Sequence, residues 1–317
     1  MGSEVNKKVG AKVTDNLFRK IFDSLLWTCA LVFICLSVSG IFPPNHSSFS
    51  CNDVSIQHPF GGDTIGAGIL ITTLIFCPIL VFFITEAVHY YPITTRAHFQ
   101  HYYNQCSAVL KNFLLGFLYV FFVTELSKSL VGELRPHFLD TCKPDWSKIN
   151  CSQGIISEYS CTGSGPYWLV KVDIYKSFPS GHASLSFYTS VFVSLYVQVR
   201  IHRTSKSHLL KSWLQLLFLS WALVCSLTRI SDYRHFWWDV LVGSLVGIVG
   251  GILTVRCFVQ NGFKFRENIE VKDKTVSSGK TKESSPNKPP DSHASDQERT
   301  VIEKHSAYKS EREKMLS

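Results

Sequence analysis

Charge is scarce in this 317-residue chain: Asp, Glu, Lys and Arg make up 18%, against about a quarter in soluble proteins. A deficit of that size points toward lipid. No C-x-x-C pair occurs, and ten cysteines in 317 residues are too few for a disulfide-dense scaffold, so zinc ribbons and thioredoxin-type motifs are set aside. Lys and Arg (32) exceed Asp and Glu (24) by +8, but the excess is gathered on no face or helix. A nucleic-acid-binding stripe is therefore missing, and no nucleic acid is expected as a partner.

Acidic and basic residues are wholly absent from four long apolar runs: Ser24 to Phe42, Thr64 to Thr85, Phe178 to Val199, and Ser212 to Thr228. A fifth run, Phe236 to Val255, carries only Asp239. A sixth, Ser107 to Val131, is interrupted by Lys111, Glu125 and Lys128, but Asn112 to Thr124 is unbroken and aromatic. A spanning helix needs about 20 mostly apolar residues, and helices apolar on every face are rare in water. The chain thus reads as an all-α polytopic membrane protein with six transmembrane helices. The first run is too long for a signal-peptide core and ends at Gly40 to Pro44 without a small-x-small cleavage site, so it is expected to remain as an anchor. The expected layout is an N-terminal arm at 1–20, a membrane domain at 21–260, and a polar, aperiodic, disordered tail at 261–317.

Basic residues flank the runs unequally. Lys7, Lys8, Lys12, Arg19 and Lys20 precede the first, Arg200, Arg203, Lys206 and Lys211 follow the fourth, and Arg256, Lys264 and Arg266 follow the sixth. The loop Pro43 to Asp63 has no Lys or Arg. By the positive-inside rule both termini are cytosolic, and the loops after runs one, three and five face outward. The sequons at Asn45 and Asn150 fall in those loops as candidate glycosylation sites. Cys51, Cys142, Cys151 and Cys161 lie there too, where disulfides are permitted; four cysteines allow three pairings, and the sequence does not choose.

Ionisable groups at membrane helix ends are costly unless they serve a site, and on the outer side they form three clusters. Lys128-x6-Arg135-Pro136 would place two cations on nearly one face if the helix continues, with Pro136 disfavouring helix before it. Phe178-Pro179-Ser180-Gly181-His182 opens a helix whose free N–H groups suit phosphate. Arg229-x5-His235-x3-Asp239 sets a carboxylate four residues after a histidine, the helical spacing at which it can hold one imidazole nitrogen and leave the other for chemistry. Each cluster alone also has a plain structural account: a snorkelling Lys, an ordinary helix start, a structural His–Asp pair. Their convergence on one membrane face describes an anion site, and charge stabilisation at phosphoryl oxygens is most of what phosphoryl transfer requires.

Lys-x6-Arg-Pro, Pro-Ser-Gly-His and Arg-x5-His-x3-Asp, in this order, resemble the three-part signature of the type 2 phosphatidic acid phosphatase superfamily. Cys51-Asn52-Asp53, Gly132 to Asp140, Asp145 to Cys151 and Ile230 to Tyr233 look like the animal lipid phosphate phosphatases, also called phospholipid phosphatases. The resemblance covers roughly residues 20–260. It departs at Thr228, where the family usually has Ser and a hydroxyl is kept. The resemblance implies a six-helix bundle with an outward-facing site, in which His235 is the nucleophile, Asp239 orients it, and His182 is the general acid and base. It also implies that Lys128, Arg135, Ser180, Gly181 and Arg229 bind phosphate, with no metal or cofactor, and that the substrates are lipid phosphate monoesters: phosphatidate, lysophosphatidate, ceramide 1-phosphate and sphingosine 1-phosphate. The outer face is expected at the plasma membrane. A non-hydrolysing lipid-binding scaffold, a metal hydrolase and a transporter are the competing readings. Gly243, Gly247 and Gly251 form a small-x3-small stripe, expected to pack within the bundle, with a homo-oligomer as the other use.

Overall fold

A computed structural model of the protein describes residues 21–259 except 23, 92 and 202–204, together with 263; these belong to the unit Met1–Lys264. The arm at 1–20 and nearly all of the tail at 261–317 lie outside the described residues. The apolar runs become helices α1 (Ser24–Val38), α2 (Ala67–His89), α3 (Arg96–Val131), α6 (Gly181–Arg200), α7 (Ser205–Ser231) and α8 (Trp237–Phe258), with short α4 (Phe138–Cys142) and α5 (Tyr167–Lys171) between α3 and α6. Among the described residues α2, α3, Leu209–Ser231 of α7 and Trp237–Cys257 of α8 are long and apolar enough to cross a membrane. The protein is a helical membrane protein.

The other two expected spans are helices as well. Ser24–Val38 is an apolar helix whose preceding residue 23 lies outside the described residues. Helix α6 carries Ser184, Ser186, Thr189, Ser190 and Ser194 among its apolar residues, and it packs against α2, α3, α7 and α8. Surrounded by protein, it does not need the all-round apolarity that lipid demands. Its hydroxyls are spent locally: Ser184 meets Thr124 of α3 at 3.0 Å, and the Tyr188 hydroxyl donates to the Phe113 carbonyl at 2.7 Å.

The glycine stripe of α8 lies against α6. A side chain at Gly243 would strike the Ser180 carbonyl, at Gly247 the Ser184 carbonyl, and at Gly251 the Val191 side chain. Backbone carbonyls cannot swing aside, so these glycines set the close α6–α8 approach inside the bundle. Helix α3 begins on Thr95, whose hydroxyl accepts from His98 N at 3.2 Å. It stops at Val131 because Gly132 turns left-handed, φ 64°, and a β-carbon there would strike the Asn45 carbonyl. The expectation that Lys128 and Arg135 share one helical face is therefore corrected: the helix ends four residues before Arg135, which reaches the site from the following loop.

Residues 43–66 and 132–180, which contain the loops expected outside after the first and third runs, fold together over one end of the bundle. Phe49–Ser50 and Ile155–Ile156 pair antiparallel, with Phe49 opposite Ile156. Phe49, Phe138, Tyr175 and Ile174 are buried in a small apolar cluster of their own. Two disulfides, Cys51–Cys151 and Cys142–Cys161, tie the cap and settle the pairing left open by the sequence. At the opposite end, Arg200 of α6 donates to both carboxylate oxygens of Glu86 in α2, and the Tyr196 hydroxyl donates to the same carboxylate at 2.8 Å.

Candidate active site

The three clusters meet under the cap. Ser180 caps the N-terminus of α6, its hydroxyl accepting from Ala183 N at 3.5 Å, and its own N–H donates to the Asp239 carbonyl at 3.0 Å. That bond joins the second cluster to the third. A β-carbon on Gly181 would stand 3.2 Å from the Lys128 ammonium, which joins the second to the first. Gly181 is thus where the backbone comes close to a cation.

His235 is buried and precedes α8, whose N-cap is Phe236. Its side chain still meets Asp239, because the Asp239 carboxylate is turned back toward the helix start: Oδ2 accepts from Phe236 N at 2.9 Å and from the Ser177 hydroxyl at 2.6 Å. His235 Nδ1 lies 3.5 Å from that oxygen, and Nε2 lies 3.3 Å from Arg135 Nη1. Burial, then the charges of Arg135 and Lys128, push the His235 imidazole well below its ordinary pKa. It is neutral at physiological pH, with a lone pair to offer.

None of the three expected cations stands alone. Lys128 Nζ pairs with Glu125 at 3.0 Å, and on the other oxygen of Glu125 sits Lys176 at 3.4 Å, which also donates to the Ser37 carbonyl and hydroxyl of α1 at 2.6 and 2.7 Å. Arg135 donates to the Asp173 carbonyl and carboxylate, both at 2.8 Å, and to the Arg234 carbonyl at 2.7 Å. Arg229, on the last turn of α7 and not in a loop, donates to Asp63 at 2.8 Å and Asp232 at 2.9 Å. His182 Nε2 lies 3.0 Å from the Ile65 carbonyl; a carbonyl only accepts, so that nitrogen carries the proton.

Several contributors escaped the sequence reading. Asp173 bridges two arginines, Arg135 and Arg234, at 2.8 Å each. Burial alone would raise its carboxyl, but Arg135 and Arg234 outweigh that and hold it below the carboxylate range. Arg234 also lies 2.9 Å from His137 Nε2, and the His137 imidazole, buried beside Arg135 and Arg234, is pushed down to about 3. Glu133 accepts from Trp238 Nε1 at 3.0 Å and is raised to about 7 by burial and by the neighbouring Asp239. Arg234 and Asp232 sit inside the third cluster and were legible as a burst of charge after an uncharged run. Asp173 opens a short 3-10 turn, Asp173–Tyr175, and gave no such signal.

The chain's residues 109–263 match the family described as the PAP2 superfamily. It is 36% identical over 243 residues to human phospholipid phosphatase 2, covering 76% of this chain and 82% of that protein. It is 38% identical over 248 residues to mouse phospholipid phosphatase 1, covering 74% and 85%. No solved structure matches the chain significantly.

Proposed function

The chain belongs to the phospholipid phosphatases of the PAP2 superfamily, and from that membership we propose that it hydrolyses lipid phosphate monoesters through a phosphohistidine. The observation that carries the proposal is the buried, neutral His235 set between a carboxylate at Nδ1 and a guanidinium at Nε2. With Nδ1–H directed at Asp239, the Nε2 lone pair attacks phosphorus in line. The phosphorus–alkoxide bond breaks as the new nitrogen–phosphorus bond forms. With phosphate bound, His182 takes up a second proton at Nδ1 from solvent, gives it to the leaving alkoxide, then takes one from the water that hydrolyses the phosphoenzyme, returning His235 and releasing phosphate. Lys128, Arg135, Arg229, Ser180 and the Gly181 backbone hold the phosphoryl oxygens. No metal enters these steps. Phosphatidate, lysophosphatidate, ceramide 1-phosphate and sphingosine 1-phosphate are the substrate class.

Phosphate release from lysophosphatidate by membranes carrying the protein, assayed in EDTA, is expected to match release without chelator. Activity abolished by EDTA and restored by a divalent ion would turn the assignment toward a metal hydrolase.

The site is assigned to the outer face of the plasma membrane, with both termini cytosolic. The paired cap cysteines, which need an oxidising compartment, support this orientation. Asn45 and Asn150 are exposed in the same cap, and Asn150 stands beside the bridged Cys151. Asn150→Gln should remove a glycosidase-sensitive mobility shift, whereas a wild-type chain from secretory cells with no such shift at either sequon would overturn the orientation.

A further inference from the structure

Between α3 and α8 runs a groove of about 300 Å³, lined by Tyr119, Val120 and Val123 on one side and chiefly by Leu245, Val249 and Leu253 on the other. Its wall is apolar apart from one phenol, and Leu245, Val249 and Leu253 are about half exposed, on helices long and apolar enough to span the bilayer. Gly250 lies at its floor, where a β-carbon would strike Val120. The groove is therefore open to lipid.

Its upper end lies about one helical turn from site residues along both helices. Val242, which also lines it, follows Asp239 by one helical turn, and Val123 precedes Lys128 by little more than one turn. From Val242 to Leu253 is about 16 Å along α8, close to the depth of about 15 Å of one leaflet's hydrocarbon. A lipid with its phosphate at Lys128 and His235 would thus find an apolar channel as deep as its own leaflet directly below.

We propose that this groove seats one acyl chain of the substrate lipid and measures its length. The inference rests on the phosphatase reading above. Lipid tails are as apolar as leucine, so moving a chain from bilayer to groove gains little hydrophobic energy. What the groove supplies is position: a chain held at fixed depth holds its phosphate at fixed height beside His235. Small misplacements at a reacting centre are expensive in rate, about a hundredfold for about 1 Å. Blocking the groove should therefore act on kcat/KM according to where the block sits and how long the chain is.

The test measures kcat/KM for short-, medium- and long-chain lysophosphatidates and for chain-free glycerol phosphate, with wild type, Leu245→Trp and Leu253→Trp. Leu253→Trp, low in the groove, should reduce only the longest chains, by about ten- to a hundredfold. Leu245→Trp, higher up, should reduce medium chains too, and both should leave short chains and glycerol phosphate at wild-type values. Equal losses on every substrate would overturn the proposal as a packing effect, and no loss on any chain would overturn it by leaving the groove to ordinary bilayer lipid. Should the Trp variants fail to reach the membrane, Val246→Ala widens the groove instead, and an unchanged chain preference there would overturn the proposal equally. Failure of the phosphatase reading itself looks different: the wild type would release phosphate from nothing.

Discussion

His235→Ala is expected to remove phosphate release from every lipid substrate, by about four to six orders of magnitude, the scale seen when the nucleophile of a covalent mechanism is deleted. The side chain is buried and leaves a small void, but its polar contacts are a 3.5 Å approach to Asp239 and a 3.3 Å approach to Arg135, so the fold should survive. An unchanged melting temperature with lost activity is the expected pair of readings. The pH dependence makes the claim sharper. A histidine whose pKa is lowered in the folded protein is neutral at every pH above that lowered value, so His235 remains a competent nucleophile from neutral pH down through 6.5. The acid side of the kcat/KM profile should show no His235-dependent fall near 6.5. Wild-type release no higher than the background of His235→Ala would leave the lipid-binding scaffold as the better reading, and high release by both would point to a nucleophile other than His235.

Asp173→Ala should have the largest effect on stability. The substitution strands two buried guanidinium groups, Arg135 and Arg234, each 2.8 Å from the carboxylate that now balances them. Breaking a buried ion pair by removing one partner costs about 3–5 kcal/mol, enough to lower Tm by about 10 °C in a domain of this size. The sign with pH follows from the lowered carboxyl of Asp173. Its contribution is complete above the unfolded carboxyl value of about 4 and is lost as pH falls through the still lower folded value. The wild type should therefore lose stability in acid more steeply than Asp173→Ala. Activity should fall as well, because Arg135 would lose the partner that aims it past His235. A variant that melts with the wild type would mean that the two arginines find other acceptors.

The elements that sequence made legible are those written in composition and short spacing. Six apolar runs become six helices, and three polar clusters meet at one end of them, because a charge in an apolar run needs a reason and a shared site is that reason. Lys128 to Arg135 shows where spacing misleads. Seven residues suit a helical face, but Gly132 lies between them and turns the chain. Helix α6 misleads in the other sense: its uncharged run reads as a span like the others, but apolarity reports contact with lipid, and this hydroxyl-rich helix touches other helices. Asp173 was invisible for a physical reason, since its partners lie 38 and 61 residues away and no periodicity connects them. The acyl groove was equally hidden, for it belongs to two helices jointly and neither sequence marks it.

The pairing of every site cation has a consequence for traffic through the site. Lys128 and Lys176 share Glu125, Arg135 and Arg234 share Asp173, and Arg229 lies between Asp63 and Asp232. The resting site is a lattice of shared ion pairs, five cations to four carboxylates, not a set of free cations waiting for an ion. A phosphate dianion arriving there does not fill a vacancy; it exchanges with a carboxylate already in place, and that carboxylate is on hand to exchange back. On the proposed phosphatase reading, inorganic phosphate has no chain to anchor it against this counter-ion competition, so the same pairing that a substrate must displace favours release of the product.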